Sequence, residues 1–509
     1  MPKYKVFAVM ELGSTAIRLK VAQFSQRSGI DVIEDIKYHI DAGSEVYSTG
    51  QLSYPLIDKI CRAVSDCMRV VNTYETEYFK CYASTAFREA ENVDFFLDQA
   101  WIRCGVHVEI ISNEEEMFLH HKALALNSAE LFDRVIEEGA VFVDVNSGNT
   151  QVSYYTSSRL QFSHSIPIGS LRVLELLSSQ KNPSLGFSEL LEEYIKAGIN
   201  NYRKNIVAEK GCPNIVLIGA NSELLCSMSG AKRGQITPVD VERAHKMLRD
   251  LSPQDICDEY RISYEEAQLL LPTVLIHKKF AQSFTGINVI PAEVTIAEGM
   301  CVEYIEKNGY AHTNHRFTDD ILSSARLSAA KYAIDNEHCK RMLEFAECIY
   351  MSLSKKFGLS KKDLLLLRLA VIFADTGRYI NVNDHARLSY HITVASPLIG
   401  LPTRSHEIIA LTTLFQNGIC ESEEFKYMSK GRKVLTAKLA AILSVCKALD
   451  YKYDGNIKKI RAAVKNDKLI ITAAASNDIT VERTELKNRG KFFEEVFGLK
   501  PEITKGVVK

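Results

Sequence analysis

The N-terminal fold is decided by one stretch, Val6-Phe7-Ala8-Val9-Met10-Glu11-Leu12-Gly13-Ser14-Thr15-Ala16-Ile17-Arg18-Leu19. Val6 to Leu12 is an apolar run of strand length, and from Ile17 to Phe24 apolar residues alternate with polar ones. Both patterns are typical of β-strands. Gly13, Ser14 and Thr15 then form a short polar turn, so Glu11 stands near a strand end, beside small residues.

The same pattern restarts further along the chain. Ala140 to Val145 is a predicted strand, Asn146 to Asn149 a turn and Gln151 to Tyr155 a returning strand. Asp144 takes the place that Glu11 has in the first copy. We therefore expect an internal duplication. Predicted helices alternate with the strands throughout this region, which is typical of α/β layers.

The remainder of the chain has a different pattern. From Asp319 to Asp450 the apolar spacing is almost entirely helical. The last segment returns to strands, which we predict at Ile457 to Val464, Lys468 to Ala473 and Ile479 to Arg483.

Composition limits the possible function classes. The chain has 509 residues, which is too long for one core and favours several domains. Its formal net charge is −1, so no overall field attracts it to nucleic acid or to a membrane surface. The 12 cysteines include no Cys-x-x-Cys pair, and we find neither a signal peptide nor an apolar run of bilayer length. We therefore expect a cytoplasmic protein that recognises its partner at a local site.

The two acidic turns are the first candidate site. A bound phosphate needs close backbone approach and hydroxyl donors, which Gly13, Ser14 and Thr15 supply. Arg18 adds a fixed cation, and the Glu11 carboxylate is a possible ligand for Mg²⁺. Alone, this turn reads more readily as a plain hairpin. A second turn after an acid favours a phosphate cleft built from both, the logic of actin-like phosphotransferases.

Two further motifs each allow two interpretations. Ser112 is a predicted helix cap, and the following Glu114, Glu115 and Glu116 are favoured by the helix dipole. One carboxylate near the cleft would instead deprotonate an attacking water. Arg88 is either a bidentate phosphate clamp or a surface ion-pair partner.

Taken in order, these motifs resemble those of the exopolyphosphatase and guanosine pentaphosphate phosphohydrolase (Ppx/GppA) family. The ordered set is more specific than any one motif and spans roughly the first three hundred residues. It consists of Val9 to Leu19, Ala83-Ser84-Thr85-Ala86-Phe87-Arg88-Glu89-Ala90, Ile111 to Glu116, Phe142-Val143-Asp144 with its turn, Ile168-Gly169-Ser170-Leu171-Arg172 and Ile296-Ala297-Glu298-Gly299-Met300.

The resemblance implies an α/β actin-like (ribonuclease H-like) two-domain core, an all-α HD-like domain and a small α+β C-terminal segment. The corresponding domains are residues 1–125, 126–306, 307–452 and 453–509. It also implies hydrolytic release of terminal phosphate from polyphosphate or guanosine pentaphosphate with Mg²⁺ or Mn²⁺, and a homodimer.

Residue roles follow from the same resemblance. Glu116 matches the catalytic carboxylate that activates water, and Asp144 and Glu11 match metal contacts. The phosphate-binding positions are those of the two turns and the arginine, namely Gly13, Ser14, Thr15, Arg88, Ser147, Gly148, Asn149 and Thr150.

The sequence departs from the family pattern in both halves. Glu11 replaces an aspartate, and Asn146, Ser147, Asn149 and Gln151 replace three small residues and a glutamate of the second turn. A glutamine there removes one negative metal ligand.

The HD-like region lacks two of the residues expected at its metal site. Ala374 stands where a histidine is expected, and Lys447 where an aspartate is expected. We predict that Lys447 pairs with Asp375 in place of a metal, and that His338 and His385 are core or interface residues.

Two functional hypotheses remain, and the first is favoured. One is a divergent phosphohydrolase that uses Glu116 as base. The other is a catalytically degenerate regulatory protein that binds polyphosphate or a nucleotide. A sugar or acetate kinase on the same scaffold is a weaker third, because no residues argue for an adenosine pocket.

Overall fold

The computed structural model describes residues 5–25, 29–178, 187–202, 212–219, 222, 224–229, 236–283, 288–309 and 313–507. The chain divides into two compact units, Met1–Phe317 and Thr318–Lys509. Two five-stranded sheets lie in the first unit and a three-stranded sheet in the second. None of the helices formed by these residues is long and apolar enough to cross a bilayer.

The secondary structure of the first unit alternates strands with helices. Its described strands are β1 (Lys5–Leu12), β2 (Ala16–Ser25), β3 (Gly29–His39), β4 (Tyr78–Ala83), β5 (Val108–Ile110), β6 (Ala140–Val145), β7 (Thr150–Thr156), β8 (Arg159–Ile166), β9 (Asn214–Ile218) and β10 (Asn288–Ala292). Its described helices are α1 (Ala42–Thr49), α2 (Tyr54–Thr73), α3 (Thr85–Glu89), α4 (Val93–Cys104), α5 (Asn113–Asn127), α6 (Ala129–Glu138), α7 (Ser170–Ser178), α8 (Phe187–Tyr202), α9 (Leu224–Ser229), α10 (Pro238–Arg249), α11 (Pro253–Tyr260), α12 (Tyr264–Ala281) and α13 (Ile296–Lys307).

The two large sheets have the same topology. The first has the order β3-β2-β1-β4-β5 and the second, read from its other edge, β8-β7-β6-β9-β10. In both, the first three strands in sequence are antiparallel neighbours, and the next two join in parallel. The predicted internal duplication is confirmed at the level of strand order and direction.

The central strands of both sheets are enclosed on both faces. Every residue of β6 is buried, as is typical of a strand with helices on both faces. In β1 the residues from Phe7 to Met10 and Leu12 are buried, while Glu11 remains partly accessible. Since β1 and β6 hold equivalent positions in the two sheets, their C-terminal loops are equivalent too. These loops form the candidate site.

The second unit is helical up to its C-terminal sheet. Its described helices are α14 (Phe317–Ala330), α15 (Asn336–Phe357), α16 (Lys361–Phe373), α17 (His385–Ala395), α18 (Thr403–Leu414), α19 (Glu423–Tyr427), α20 (Lys430–Leu449) and α21 (Thr480–Phe497), with a 3₁₀ turn at Thr376–Tyr379. Its described strands are β11 (Ile457–Lys465), β12 (Lys468–Ala475) and β13 (Lys500–Lys505), in the order β11-β12-β13.

The predicted strand from Ile479 to Arg483 is wrong, because these residues begin α21. The β-branched Ile479, Thr480 and Val481 favour a strand locally. The residues that follow place Leu486 and Phe493 on a buried helical face, and tertiary burial outweighs the local preference. The third strand of the sheet is instead β13.

Candidate active site

The first loop connects β1 to β2 and is tied to the chain that follows β3. The amide of Gly43 donates to the Ser14 carbonyl at 2.8 Å, and the amide of Ile40 donates to the Thr15 carbonyl at 3.0 Å. The loop therefore has a fixed conformation beside a cleft. It contributes to the lining of that cleft Glu11, Gly13, Ser14 and Thr15.

The second loop connects β6 to β7 and is held by the first turn of α7. The Ser170 amide donates to the Asn146 carbonyl at 3.1 Å. The amides of Leu171 and Arg172 both donate to the Ser147 carbonyl at 3.0 Å. Amides that open a helix have no partner within it, so the loop carbonyls satisfy them.

Gly169 lies where α7 meets this loop and leaves no room for a side chain. A Cβ atom there would lie 2.4 Å from backbone atoms of Ser147, Gly148 and Asn149. We expect Gly169→Ala to lower the free energy of unfolding by about 1–3 kcal/mol, as overpacking does. Urea titration measures this loss. Gly431→Ala is the control, because nothing lies within 4 Å of its Cβ position and the change should not destabilise. Equal stability of the two variants would contradict the packing described.

The second loop turns one predicted phosphate ligand toward the cleft and three away from it. Ser147 lines the cleft. The Asn149 amide nitrogen donates to Asn113 and to Ser165, both at 2.8 Å. The buried Thr150 hydroxyl donates to the Ile168 carbonyl at 2.6 Å. Asn149 and Thr150 therefore stabilise the loop and do not line the cleft.

Gly148 faces a tyrosine that sequence reasoning missed. Its Cβ position lies 2.2 Å from the Tyr47 hydroxyl and 2.6 Å from Thr85 Cγ2, so no larger residue fits. The same hydroxyl is hydrogen-bonded to Ser14 Oγ at 2.9 Å, and burial raises the pKa of Tyr47 to about 12. Tyr47 thus joins the two loops. Tyr47 lies outside the motifs that the sequence analysis selected.

The structure assigns different positions to two adjacent glutamates of α5. Ser112 caps the helix, and Glu115 completes a capping box by accepting from the Ser112 amide at 3.1 Å. Glu116 is 3% exposed and lines the cleft. Its Oε2 atom is buried without a hydrogen-bond partner. Of the two, Glu116 is therefore the one available to a substrate.

Burial in the cleft changes the protonation of its carboxylates. Burial raises the pKa of Glu116 to about 7, while the charges of Arg88 and His120 partly oppose the rise. Burial likewise raises the pKa of Glu11, and Arg18 opposes this. A carboxylate with a pKa near 7 is matched to proton transfer at neutral pH.

A histidine that sequence reasoning missed is bonded to Asp144. His120 Nδ1 lies 2.6 Å from Asp144 Oδ2, and His120 lines the cleft. Burial disfavours the charged ring, but the Asp144 charge and this hydrogen bond outweigh it and raise the pKa of His120 to about 9. Sequence spacing could have identified His120, because it follows Glu116 by one helical turn and therefore lies on the same face of the helix.

The two candidate arginines have different environments. Arg88 donates to the Ile111 carbonyl, to Asn113 Oδ1 and, at 3.1 Å, to Thr85 Oγ1. It ties α3 to the start of α5 and does not line the cleft. Arg18 lines the cleft, and its guanidinium forms no hydrogen bond or ion pair with the residues that the structure describes. A phosphate in the cleft would meet Arg18 directly.

The cleft offers oxygen donors to a divalent cation. Buried oxygens of Glu11, Glu116 and Asp144 have no hydrogen-bond partner. In the described parts of the chain, however, no three acidic, histidine or cysteine side chains are grouped closely enough to hold a metal. The donors therefore fit Mg²⁺ bound through one or two carboxylates together with substrate phosphate and water, which is how Mg²⁺ is commonly held.

The second unit contains a buried charge cluster. Lys447 Nζ lies 2.6 Å from Asp375 Oδ1 and donates to Gln416 Oε1 at 2.6 Å. Burial would raise the pKa of Asp375, but Lys447 and His338 hold it well below its ordinary value. The predicted pairing of Lys447 with Asp375 is confirmed.

His338 belongs to the same cluster. Its two ring nitrogens lie 3.1 Å from Asp375 Oδ2 and 2.7 Å from Asp450 Oδ2, and its ring stacks on Tyr453 at 3.8 Å. His338 is buried, as predicted. His385 is less buried and lies 3.4 Å from Lys447 Nζ.

Sequence comparisons cover both units. The model of the Ppx/GppA phosphatase family matches residues 21–308, and that of the Ppx/GppA phosphatase domain III matches residues 322–488. A guanosine-5'-triphosphate,3'-diphosphate pyrophosphatase of Photobacterium profundum is 19% identical over 492 residues, 93% of each chain. A bifunctional 3-dehydroquinate synthase/phosphatase of Fusobacterium nucleatum is 21% identical over 266 residues, 50% of this chain and only 38% of that relative.

Structural comparisons cover about three fifths of the chain. The Ppx/GppA family member of Aquifex aeolicus matches with a TM-score of 0.50 and 20% identity, over 61% of this chain and 100% of its own. An exopolyphosphatase of Cytophaga hutchinsonii matches with a TM-score of 0.52 and 12% identity, over 60% and 98%. At these identities the likeness concerns the fold alone, and it confirms the predicted α/β actin-like core.

Proposed function

This chain belongs to the Ppx/GppA phosphatase family, and from that premise we propose that it hydrolyses a phosphoanhydride bond in the cleft of the first unit. The substrate is inorganic polyphosphate or guanosine pentaphosphate, from which it releases a terminal phosphate. One observation carries the proposal. Glu116, buried and with one unpartnered oxygen, lines the cleft together with residues of both loops.

The proposed reaction is an attack of water on the terminal phosphorus. The water oxygen forms a bond to phosphorus while Glu116 accepts the proton. The bond between phosphorus and the bridging oxygen breaks, and that oxygen keeps the electron pair and leaves with the shortened substrate. Ser14, Thr15 and Ser147 would hold the terminal phosphate, and Arg18 would balance its charge, because all four residues line the cleft.

The proposed site also includes a divalent cation. Glu11 and Asp144 would hold Mg²⁺ or Mn²⁺ through their unpartnered oxygens. When bound, the ion supplies positive charge to the phosphate oxygens. Both acidic side chains lie at the ends of equivalent strands, so the duplication itself brings them to one cleft.

Phosphate release tests the proposal directly. The full chain is incubated with Mg²⁺ or Mn²⁺ and either polyphosphate or guanosine pentaphosphate, and free phosphate is measured over time. We expect release from at least one of the two. Failure to release phosphate from either, with both metals, would contradict the proposed function.

The pH dependence of turnover provides a second test. Glu116 acts as a base only when it is ionised, and its pKa is raised from an ordinary 4.5 to about 7. Activity is therefore expected to be full above this pH and to fall about tenfold per pH unit below it. A profile of kcat/KM between about pH 5 and 9, which reports ionisations of the protein before substrate binds, measures the inflection. An inflection near the ordinary carboxylate value would contradict the burial-shifted base.

A second candidate function, binding without turnover, is favoured by the second loop. Gly148 is covered by Tyr47 and Thr85, and Gln151 supplies no carboxylate next to Asp144. Under this alternative the protein senses polyphosphate or a nucleotide. Calorimetric binding of either ligand by a chain that releases no phosphate would support it, and loss of binding on Arg18→Gln would place the ligand in this cleft.

A further inference from the structure

His120 lies where it affects the affinity of the cleft for a metal. Its side chain is buried, and its remaining exposure is to the cleft that it lines. Nδ1 lies 2.6 Å from Asp144 Oδ2, whereas Asp144 Oδ1 is buried and unpartnered. One oxygen of this carboxylate is thus already engaged by a side chain of the protein.

The hydrogen bond competes with metal coordination. A donor on a carboxylate oxygen occupies lone pairs that a cation would need and fixes the orientation of the carboxylate. A divalent cation on Asp144 would also be close to the imidazole ring. While His120 keeps Oδ2, Asp144 offers a cation only Oδ1, and coordination through both oxygens would require His120 to move.

His120 is also held in place by its position on the chain. It lies on α5 one turn after Glu116, in a helix fixed by the capping box of Ser112 and Glu115. The next residue, His121, is bonded to Tyr155 OH at 3.0 Å and Ser153 Oγ at 3.2 Å. The helix therefore cannot move His120 away from Asp144 without breaking these contacts.

We infer that His120 is a positioning residue that holds Asp144 in the metal-free protein and weakens the binding of a divalent cation to the cleft. The catalytic role of the cation rests on the proposed function. The competition between His120 and a cation for Asp144 is independent of that function.

Binding of Mn²⁺ to the full chain without substrate tests the inference. Electron paramagnetic resonance measures free and bound Mn²⁺ in wild type, His120→Leu and His120→Asn. We expect His120→Leu to bind Mn²⁺ more tightly, because both oxygens of Asp144 are then free to coordinate it. The change should be about ten- to a hundredfold, the size by which replacing a group beside a metal ligand alters metal affinity. His120→Asn keeps a neutral donor and should lie between the two.

Two controls define the site. His39 is an exposed histidine that lines the same cleft, and His39→Asn should leave the affinity for Mn²⁺ unchanged. Asp144→Asn combined with His120→Leu should abolish the gain. If His120→Leu does not fold, as judged by thermal melting, His120→Asn still tests the inference, because its affinity for Mn²⁺ should rise several-fold.

Three outcomes would overturn the inference. The first is that His120→Leu and His120→Asn bind Mn²⁺ no more tightly than wild type, and the second is that none of the three proteins binds it. The third is that both variants bind Mn²⁺ more weakly than wild type, which would make His120 itself a ligand. The assay needs no turnover. Tighter Mn²⁺ binding without phosphate release from any variant would therefore uphold this inference and reject the proposed function.

Discussion

Replacing Glu116 by glutamine is expected to lower kcat for phosphate release by about 10²–10⁴-fold, the contribution of a general base. The change keeps the volume of the side chain and removes its ability to accept a proton. Substrate binding should persist, since the loop residues that line the cleft are unaltered. Steady-state phosphate release gives kcat, and calorimetry with guanosine pentaphosphate gives affinity.

The neighbouring residue supplies a matched control. Glu115→Gln is the same chemical change one position earlier, in a capping box where glutamine also serves. This variant should keep kcat within about threefold of wild type and should melt at the same temperature as Glu116→Gln. Equal losses in the two variants would indicate damage to α5 instead of loss of a base.

Replacing Lys447 by methionine is expected to destabilise the second unit by about 3–5 kcal/mol, the cost of breaking a buried ion pair. Lys447 is 6% exposed and is bonded to both Asp375 and Gln416. Methionine matches its length but leaves the Asp375 charge buried with one partner fewer. Hydrogen exchange of the amides in α20 measures the loss within this unit.

The control lies on the same helix. Lys430 is exposed at the first position of α20, so Lys430→Met should change stability by less than about 0.5 kcal/mol. Equal protection of α20 in both variants would show that the cluster around Asp375 contributes nothing to the stability of the second unit.

Most of the first unit could be predicted because its strands and turns carry local signals. The strand at Tyr78–Ala83 and the one at Ala140–Val145 follow directly from apolar runs bounded by polar residues. The duplication was visible because both acidic turns follow a strand. In the C-terminal segment, β-branched residues at the start of α21 favoured a strand locally, but the burial of one face of the helix outweighed this preference.

The site was less predictable because its members meet through tertiary contacts. The family resemblance selected Glu116 from three consecutive glutamates, and the rotation of α5 places Glu115 in the cap and Glu116 in the cleft. Likewise, no motif links His120 to Asp144 or Tyr47 to Ser14.

The predicted phosphate ligands also depend on tertiary contacts that motifs do not reveal. Motif order placed Arg88 and Thr150 among them, but their hydrogen bonds bind them to the protein. Arg18, which the resemblance did not select, is the arginine that faces the cleft.

We propose that the two loops and Glu116 form a single phosphate site. A crystal structure of the full chain soaked with tungstate, a heavy analogue of phosphate, tests it most directly. Anomalous density is expected between Ser14 and Ser147, within reach of Arg18 and the Glu116 carboxylate. Tungstate bound elsewhere in the protein, with this cleft empty, would contradict it.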